Sequence, residues 1–438
     1  MIAILTALLF SISAIAAEKD FCWIEQEATV KKTFPMPNGV NFFIRSAPAM
    51  DLLSFASDQK NLTLDTRTGK QKQVPLFMDP IPTPDGKLMT IPGSYVFDPF
   101  LKKNVQMNEG LKPVYVITSE GVKSCEKDAL CMTDTELTPA QVRASGKPFA
   151  FNAISFYSAR TDYMQSIYDD ADIPYNYQSL GTLRTAGDVT KYRMLFAATD
   201  SLSYRDYSYS EKSNKLVPVG PIQKVCGGLN AQLPSLSKNG REISAYDAET
   251  GTTNIYTIGE NGKECQKSQV VPSMVGKADF SPDGKKLAFH VDQKAQPLRM
   301  LVHARSEDSL QVYVYDRQSK MAVPISHPKT DDNYFPAFLS NDRLAFISAK
   351  KDAAEESKFA LKVVDLSQMR TPTCTDCAKP ETKTGQMAAL VGALQLTQCQ
   401  ADASLHYRNA VAAFNYVSPK NCQRLVSACD EACMTKTK

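Results

Sequence analysis

The sequence predicts an all-β protein built as a β-propeller of four-stranded blades, followed by a small helical C-terminal appendage stapled by disulfides. Three observations carry this expectation: a turn-and-strand motif that recurs along the chain, an alternating strand after each copy, and a crowd of cysteines beyond residue 373. The 438 residues are 43% hydrophobic and 22% charged, enough to bury a large core and too mixed for disorder. Fifty Lys and Arg against 47 Asp and Glu leave a net charge of +3. That charge makes no footprint for a nucleic-acid backbone or an anionic membrane surface, so neither is expected as a partner.

Residues 1–17, MIAILTALLFSISAIAA, form an apolar run with small Ala14 and Ala16 near its end, followed at once by Glu18, Lys19 and Asp20. This is the pattern of a cleaved signal peptide, although its first residues carry no Lys or Arg. No second apolar run reaches the ~18 residues of a membrane span, so no transmembrane segment is expected after cleavage. The destination is then the periplasm or the exterior, where disulfides are the default state of cysteine.

The core motif is Phe280-Ser-Pro-Asp-Gly-Lys-Lys-Leu-Ala-Phe-His-Val291. Pro282 presets φ, Asp283 and Gly284 tolerate φ > 0, and Leu287 starts back as an apolar strand. Pro234 to Ala245 repeats the layout around Asn239 and Gly240, and Pro336 to Phe346 repeats it around Asn341 and Asp342. Asn239, Asp283 and Asp342 stand 44 and 59 residues apart, near the about 40–50 residues of a four-stranded blade with one insertion. Asn254 to Ile258 and Gln311 to Asp316 follow as half-buried alternating strands. Leu52 to Lys70 has the same order, and Pro84-Asp85-Gly86, Ser145-Gly146-Lys147 and Tyr192 to Phe196 are weaker echoes. Ser155 to Tyr177 breaks the pattern and reads as a long loop on a propeller face.

These residues, F-S-P-D-G-K-K-L-A-F followed by V-Y-V-Y-D, resemble the repeat of TolB-like periplasmic proteins, clearly over about residues 231–366. The resemblance implies a propeller, with six blades in that family, that binds protein partners in the periplasm. Seven candidate turns, near residues 50, 85, 146, 188, 239, 283 and 342, suit seven blades instead. The propeller is expected over 18–370 and the appendage over 371–438.

Six of the eleven cysteines, Cys374, Cys377, Cys399, Cys422, Cys429 and Cys433, lie in the appendage. About 65 residues bury too little apolar surface without staples, so three disulfides among helices are expected. Cys374-x-x-Cys377 is followed by Ala378, which fails the haem-attachment pattern, and disulfide formation competes with zinc in an oxidising compartment. In the propeller, a bridge between Cys226 and Cys265 is expected, and another between Cys125 and Cys131, leaving Cys22 unpaired.

Catalytic motifs are missing from the sequence. The four histidines, His290, His303, His327 and His406, show no metal-binding spacing, and no G-x-S-x-G elbow exists. Asp169, Asp170 and Asp172 could hold calcium, but such a run is more often a solvated acidic loop, and no cofactor is expected. The leading reading is a non-catalytic exported protein that binds an envelope or periplasmic protein, or an envelope polymer, on its loop face. A hydrolase or lyase acting on a glycan or peptide at the channel, and a platform for the cysteine-rich tail, are the alternatives. Oligomeric state is left open.

Overall fold

The structure, a computed structural model, describes residues 22–369 apart from 24–27, 37–38, 41–42, 58–59, 75–79, 99, 101–102, 107–113, 119–120, 125–132, 135–136, 159–162, 168–175, 198–201, 230–231, 248–251, 260–264, 272–274, 276–277, 293–309, 327–330 and 351–357. The expectations placed on residues 1–17, on Cys125 and Cys131, on Asp169, Asp170 and Asp172, and on the helices and six cysteines of 371–438 lie outside the described residues.

Six sheets surround one axis. Blade 1 is Arg45–Ala47, Leu52–Ser57, Lys60–Asp65 and Gln71–Val74. Blade 2 is Ile81–Pro82, Met89–Asp98, Phe149–Ser158 and Tyr163–Ile167. Blade 3 is Asn176–Ala186, Val189–Ala197, Leu202–Ser210 and Lys215–Lys224. Blade 4 is Gln232–Leu236, Glu242–Asp247, Thr252–Ile258 and Cys265–Val271. Blade 5 is Asp279–Phe280, Lys286–Asp292, Leu310–Asp316 and Met321–Pro324. Blade 6 is Asp331–Ser340, Arg343–Lys350 and Phe359–Asp365, with Thr29–Pro35 from the other end of the chain as its outermost strand. The first strand of each blade touches the first strand of the next, and blade 6 touches blade 1. The ring is closed.

The blade count is therefore six and not seven. The turns near residues 50, 85, 188, 239, 283 and 342 each join the first and second strands of a blade. The one near 146 does not: Gly146, at φ +68°, follows the short helix Pro139–Ala144 inside an insertion in blade 2. Local chemistry is alike in the two settings, since a helix end and a hairpin both use glycine at positive φ.

Three of the first turns are built alike. In blade 5 the Ser281 hydroxyl donates to Asp283 Oδ1 (2.7 Å) and accepts from the Lys286 N–H (2.9 Å), with Gly284 at φ +70°. Ser237, Asn239 and Glu242 repeat this in blade 4 (2.7 and 2.9 Å), and Thr83, Asp85 and Leu88 repeat it in blade 2 (2.6 and 3.1 Å). Gly240 and Gly86 both sit at φ +71°. The Pro84-Asp85-Gly86 echo is thus a full copy of the motif.

Second strands such as Leu287-Ala-Phe-His-Val are apolar on both faces because each is covered by a neighbouring blade on either side. Leu287 and Phe289 pack towards blade 4, and Ala288 packs towards blade 6. Each of the six interfaces carries its own buried cluster. At roughly 1.5–3 kcal/mol per fully buried large side chain, these clusters dominate the stability. The outermost strands of blades 1, 3 and 6 face solvent and are largely exposed, as in Gln71-Lys-Gln-Val74, whereas Met321–Pro324 of blade 5 is apolar and buried, with Cys22–Trp23 paired on its outer edge.

Ser155 to Tyr177 is not one long loop. It holds the end of the third strand of blade 2 and the whole fourth strand, Tyr163–Ile167, paired through Ile154–Ser158. The real insertion precedes it, between the second and third strands. Met89–Asp98 and Phe149–Ser158 run on past the blade, and Lys103–Gln106, Tyr115–Thr118, Gly121–Ser124 and Thr133–Asp134 add to them as a projecting sheet. Lys103–Gln106 pairs on the same edge of Met89–Asp98 as the inner strand Ile81–Pro82, the edge nearer the axis.

Candidate functional site: the axial cavity and the two ends of the ring

The first turns share one end of the ring and are consumed in joining blades. Arg343 Nη1 reaches Asp51 Oδ1 (2.6 Å) from blade 6 to blade 1, and Lys286 Nζ reaches Asp342 Oδ1 (2.9 Å) from blade 5 to blade 6. Arg317 grips Glu242 with both guanidinium nitrogens (2.6 and 2.8 Å) between blades 5 and 4. Tyr192 donates to Asp85 Oδ2 (2.7 Å) between blades 3 and 2, and the Ala49 N–H donates to the Pro84 carbonyl (3.3 Å) between blades 1 and 2. Asn341 Oδ1 accepts from the Asp283 N–H at 3.0 Å. The repeat residues Asn239, Gly240, Asp283, Gly284, Asn341 and Asp342 therefore build the ring and do not converge on a pocket.

Inside the ring, all six inner strands line one cavity of about 480 Å³, counting the part open to solvent. Its centre is a single polar network across four blades. Lys238 Nζ donates to Asp279 Oδ1 at 2.7 Å and to Ser46 Oγ at 3.2 Å, and Asp279 Oδ2 accepts from the Phe338 N–H at 2.8 Å. The Lys238 and Asp279 side chains are 12% and 16% exposed. A buried pair of this kind persists only when its remaining groups are bonded, which Ser46 and Phe338 provide. Ser179 Oγ accepts from the Leu236 N–H at 2.9 Å, joining blade 3 to blade 4 beside the cavity.

The cavity wall next to blade 6 is aromatic. Phe43 and Phe335 meet edge to face with centroids 4.7 Å apart, and the Arg45 guanidinium lies 4.7 Å from the Phe43 centroid. Phe335 sits at φ +51°, in a bulge of the inner strand just before Pro336. Leu233, before Pro234, sits at φ +50° in the matching bulge of blade 4.

His290 is fully buried between blades 5 and 6, where its Nδ1 accepts from the Phe335 N–H at 3.4 Å. Cys226 follows the last strand of blade 3, Cys265 opens the outermost strand of blade 4, and the two are bonded with Cα atoms 5.1 Å apart. Among the described residues, no three His, Cys, Asp or Glu side chains form a metal-holding group, and no helix is long and apolar enough to cross a membrane. The cavity residues Ser46, Ser179, Ser235, Lys238 and Asp279 are scattered over the chain and were not singled out by sequence. The signal that could have found part of them is register: Ile81, Ser235 and Asp279 each stand two residues before the turn hydroxyl of their blade.

The chain is a six-bladed β-propeller whose last blade is completed by Thr29–Pro35. No family model matches the chain, and no curated protein matches it. Solved structures with a similar fold include the Kuenenia stuttgartiensis hydrazine synthase, at 12% identity over 81% of this chain and 83% of that one, TM-score 0.39. They also include a putative TolB from Agrobacterium tumefaciens, at 12% identity over 78% and 97%, TM-score 0.36. TolB from Acinetobacter baumannii is similar at 12% identity over 75% and 64%, TM-score 0.33. Likeness at this level carries nothing about activity.

Proposed function

We propose that the protein is exported and acts as a non-catalytic binding protein, receiving a protein or an envelope polymer on the end of the ring opposite the first turns. The observation that carries this reading is the asymmetry of the two ends. One is spent on bonds between blades, while the blade 2 insertion projects from the other, on the side of the axis, with Phe100 at its tip 91% exposed. An exposed aromatic in the turn between Met89–Asp98 and Lys103–Gln106 is the kind of anchor that interfaces bury. Export is supported by the apolar leader of residues 1–17 and by a disulfide in the body of the fold, which an oxidising compartment maintains.

Photo-crosslinking tests the reading. A photoreactive residue at position 100 should give a discrete adduct with an envelope macromolecule, and the same residue at exposed Met50, on the turn end, should not. Adducts from position 50 alone, or from neither, would reject it.

A further inference from the structure

We propose that the axial cavity is a binding site for a compact oxyanion, a carboxylate or phosphate group, held by hydroxyl and ammonium donors from blades 1, 3 and 4. Around this space, hydrogen-bond donors outnumber acceptors. The single carboxylate of the lining, Asp279, has both oxygens engaged, one by Lys238 and one by the Phe338 N–H. The hydroxyls are committed only as acceptors: Ser46 Oγ takes a Lys238 proton, and Ser179 Oγ takes the Leu236 N–H. Their own protons reach no acceptor among the described residues. Ser235 is 3% exposed, lines the same cavity and makes no side-chain hydrogen bond among the described residues.

The Ser46 and Ser179 hydroxyls each have a donor and no acceptor among the described residues, and Ser235 has neither, so all three protons are available to an acceptor in the cavity. Lys238 carries a third ammonium proton beyond the two it spends. Arg45 adds a second cation to the lining, so its formal charge is positive. A group that accepts several hydrogen bonds and carries negative charge satisfies all of these atoms at once, as charge-assisted bonds to an oxyanion do. A neutral sugar or an amine does not. This site is separate from the surface proposed above, and either can fail without the other.

The anion can be free in solution or the acidic end of a polypeptide. Calorimetric titration of the full chain at fixed ionic strength, with sodium phosphate, sodium acetate and a short peptide ending in a free or an amidated carboxylate, separates these. Saturable binding of at least one anion is expected. It should weaken tenfold or more in S179A/S235A, and again in S46A, while surface variant K212A binds as the parent does. Preference for the peptide acid over its amide assigns a polypeptide end, and binding of phosphate or acetate alone assigns a free ion. The serine variants keep the Lys238–Asp279 pair, and an unchanged circular dichroism spectrum checks their fold. No saturable binding by any probe, or equal binding by folded S179A/S235A, overturns the proposal.

Discussion

Arg193 holds Asp206 in a two-pronged ion pair, Nε to Oδ1 at 2.9 Å and Nη2 to Oδ2 at 3.3 Å, with its guanidinium 4.3 Å from the Tyr204 centroid and Nη1 reaching the Gly240 carbonyl of the next blade. The arginine side chain is 3% exposed. Removing its partner leaves a buried charge with little compensation, so Asp206→Ala should cost about 3–5 kcal/mol. Lys191, 3.1 Å from Asp206, remains as a further cation and adds to the penalty. The Arg343–Asp51 pair is 35% and 30% exposed, and Arg343→Ala should cost no more than about 1 kcal/mol. Urea midpoints compare the two; equal losses would contradict the assignment of Arg193 as a buried joint between blades.

Gly181 of blade 3 presses on the first turn of blade 4. A Cβ there would lie 2.5 Å from Gly240 N and 2.7 Å from Ser237 O, both backbone. Gly181→Ala must push two blades apart, at a cost of about 1–3 kcal/mol. Gly284→Ala meets only side-chain ends at 3.6 Å and beyond, and pays about 1 kcal/mol for its positive φ. Thermal unfolding of the two variants should rank Gly181→Ala as the worse; the reverse order would place the blades further apart than described.

Stability should fall on the alkaline side through buried tyrosines. Burial pushes Tyr207, Tyr246 and Tyr315 up to about 12, and burial with the adjacent Asp85 carboxylate pushes Tyr192 up further still. A phenol with a raised folded pKa contributes stability that is complete below the unfolded value of about 10 and is lost as pH rises through the folded one. On the acid side, Asp65 is held low by the Thr68 and Arg67 N–H groups, and Asp365 by the Ser367 hydroxyl and N–H. Their contribution is present above about pH 4 and disappears as pH falls through their lowered pKa. Phenolate absorbance during an alkaline titration should rise in two phases, the second coinciding with unfolding. A single phase near pH 10 with the fold intact would contradict the burial.

The Cys226–Cys265 bridge closes a separation of 39 residues. By the chain-entropy estimate its removal in C226S/C265S should cost about 3–4 kcal/mol. A non-reduced digest should yield the two peptides linked, and their recovery as separate free thiols would exclude the bridge.

How much of this was legible in sequence depended on whether the chemistry is local. The first turns were, because Gly284 and Gly240 sit at φ > 0 whatever surrounds them, and six of the seven candidate turns are first turns. The false one, Gly146, meets the same backbone need at a helix end. Tyr163–Ile167 was lost because an outermost strand has one covered face and a weak pattern. The cavity was hidden for another reason. Ser46, Ser179, Ser235, Lys238 and Asp279 are brought together only by closure of the ring, and apart from the shared register of Ser235 and Asp279 before their turn hydroxyls no spacing along the chain relates them.

Residues 29–35 close the ring by pairing with 360–365, the outermost pairing of blade 6. Hydrogen exchange of the full chain, read by mass spectrometry, tests it directly. Amides in 359–365 should exchange as slowly as those of the interior strand Arg343–Lys350, and the amides of 29–35 that point towards 359–365 should be protected together with them. Rapid exchange of 29–35, with 359–365 behaving as a free sheet edge, would contradict it.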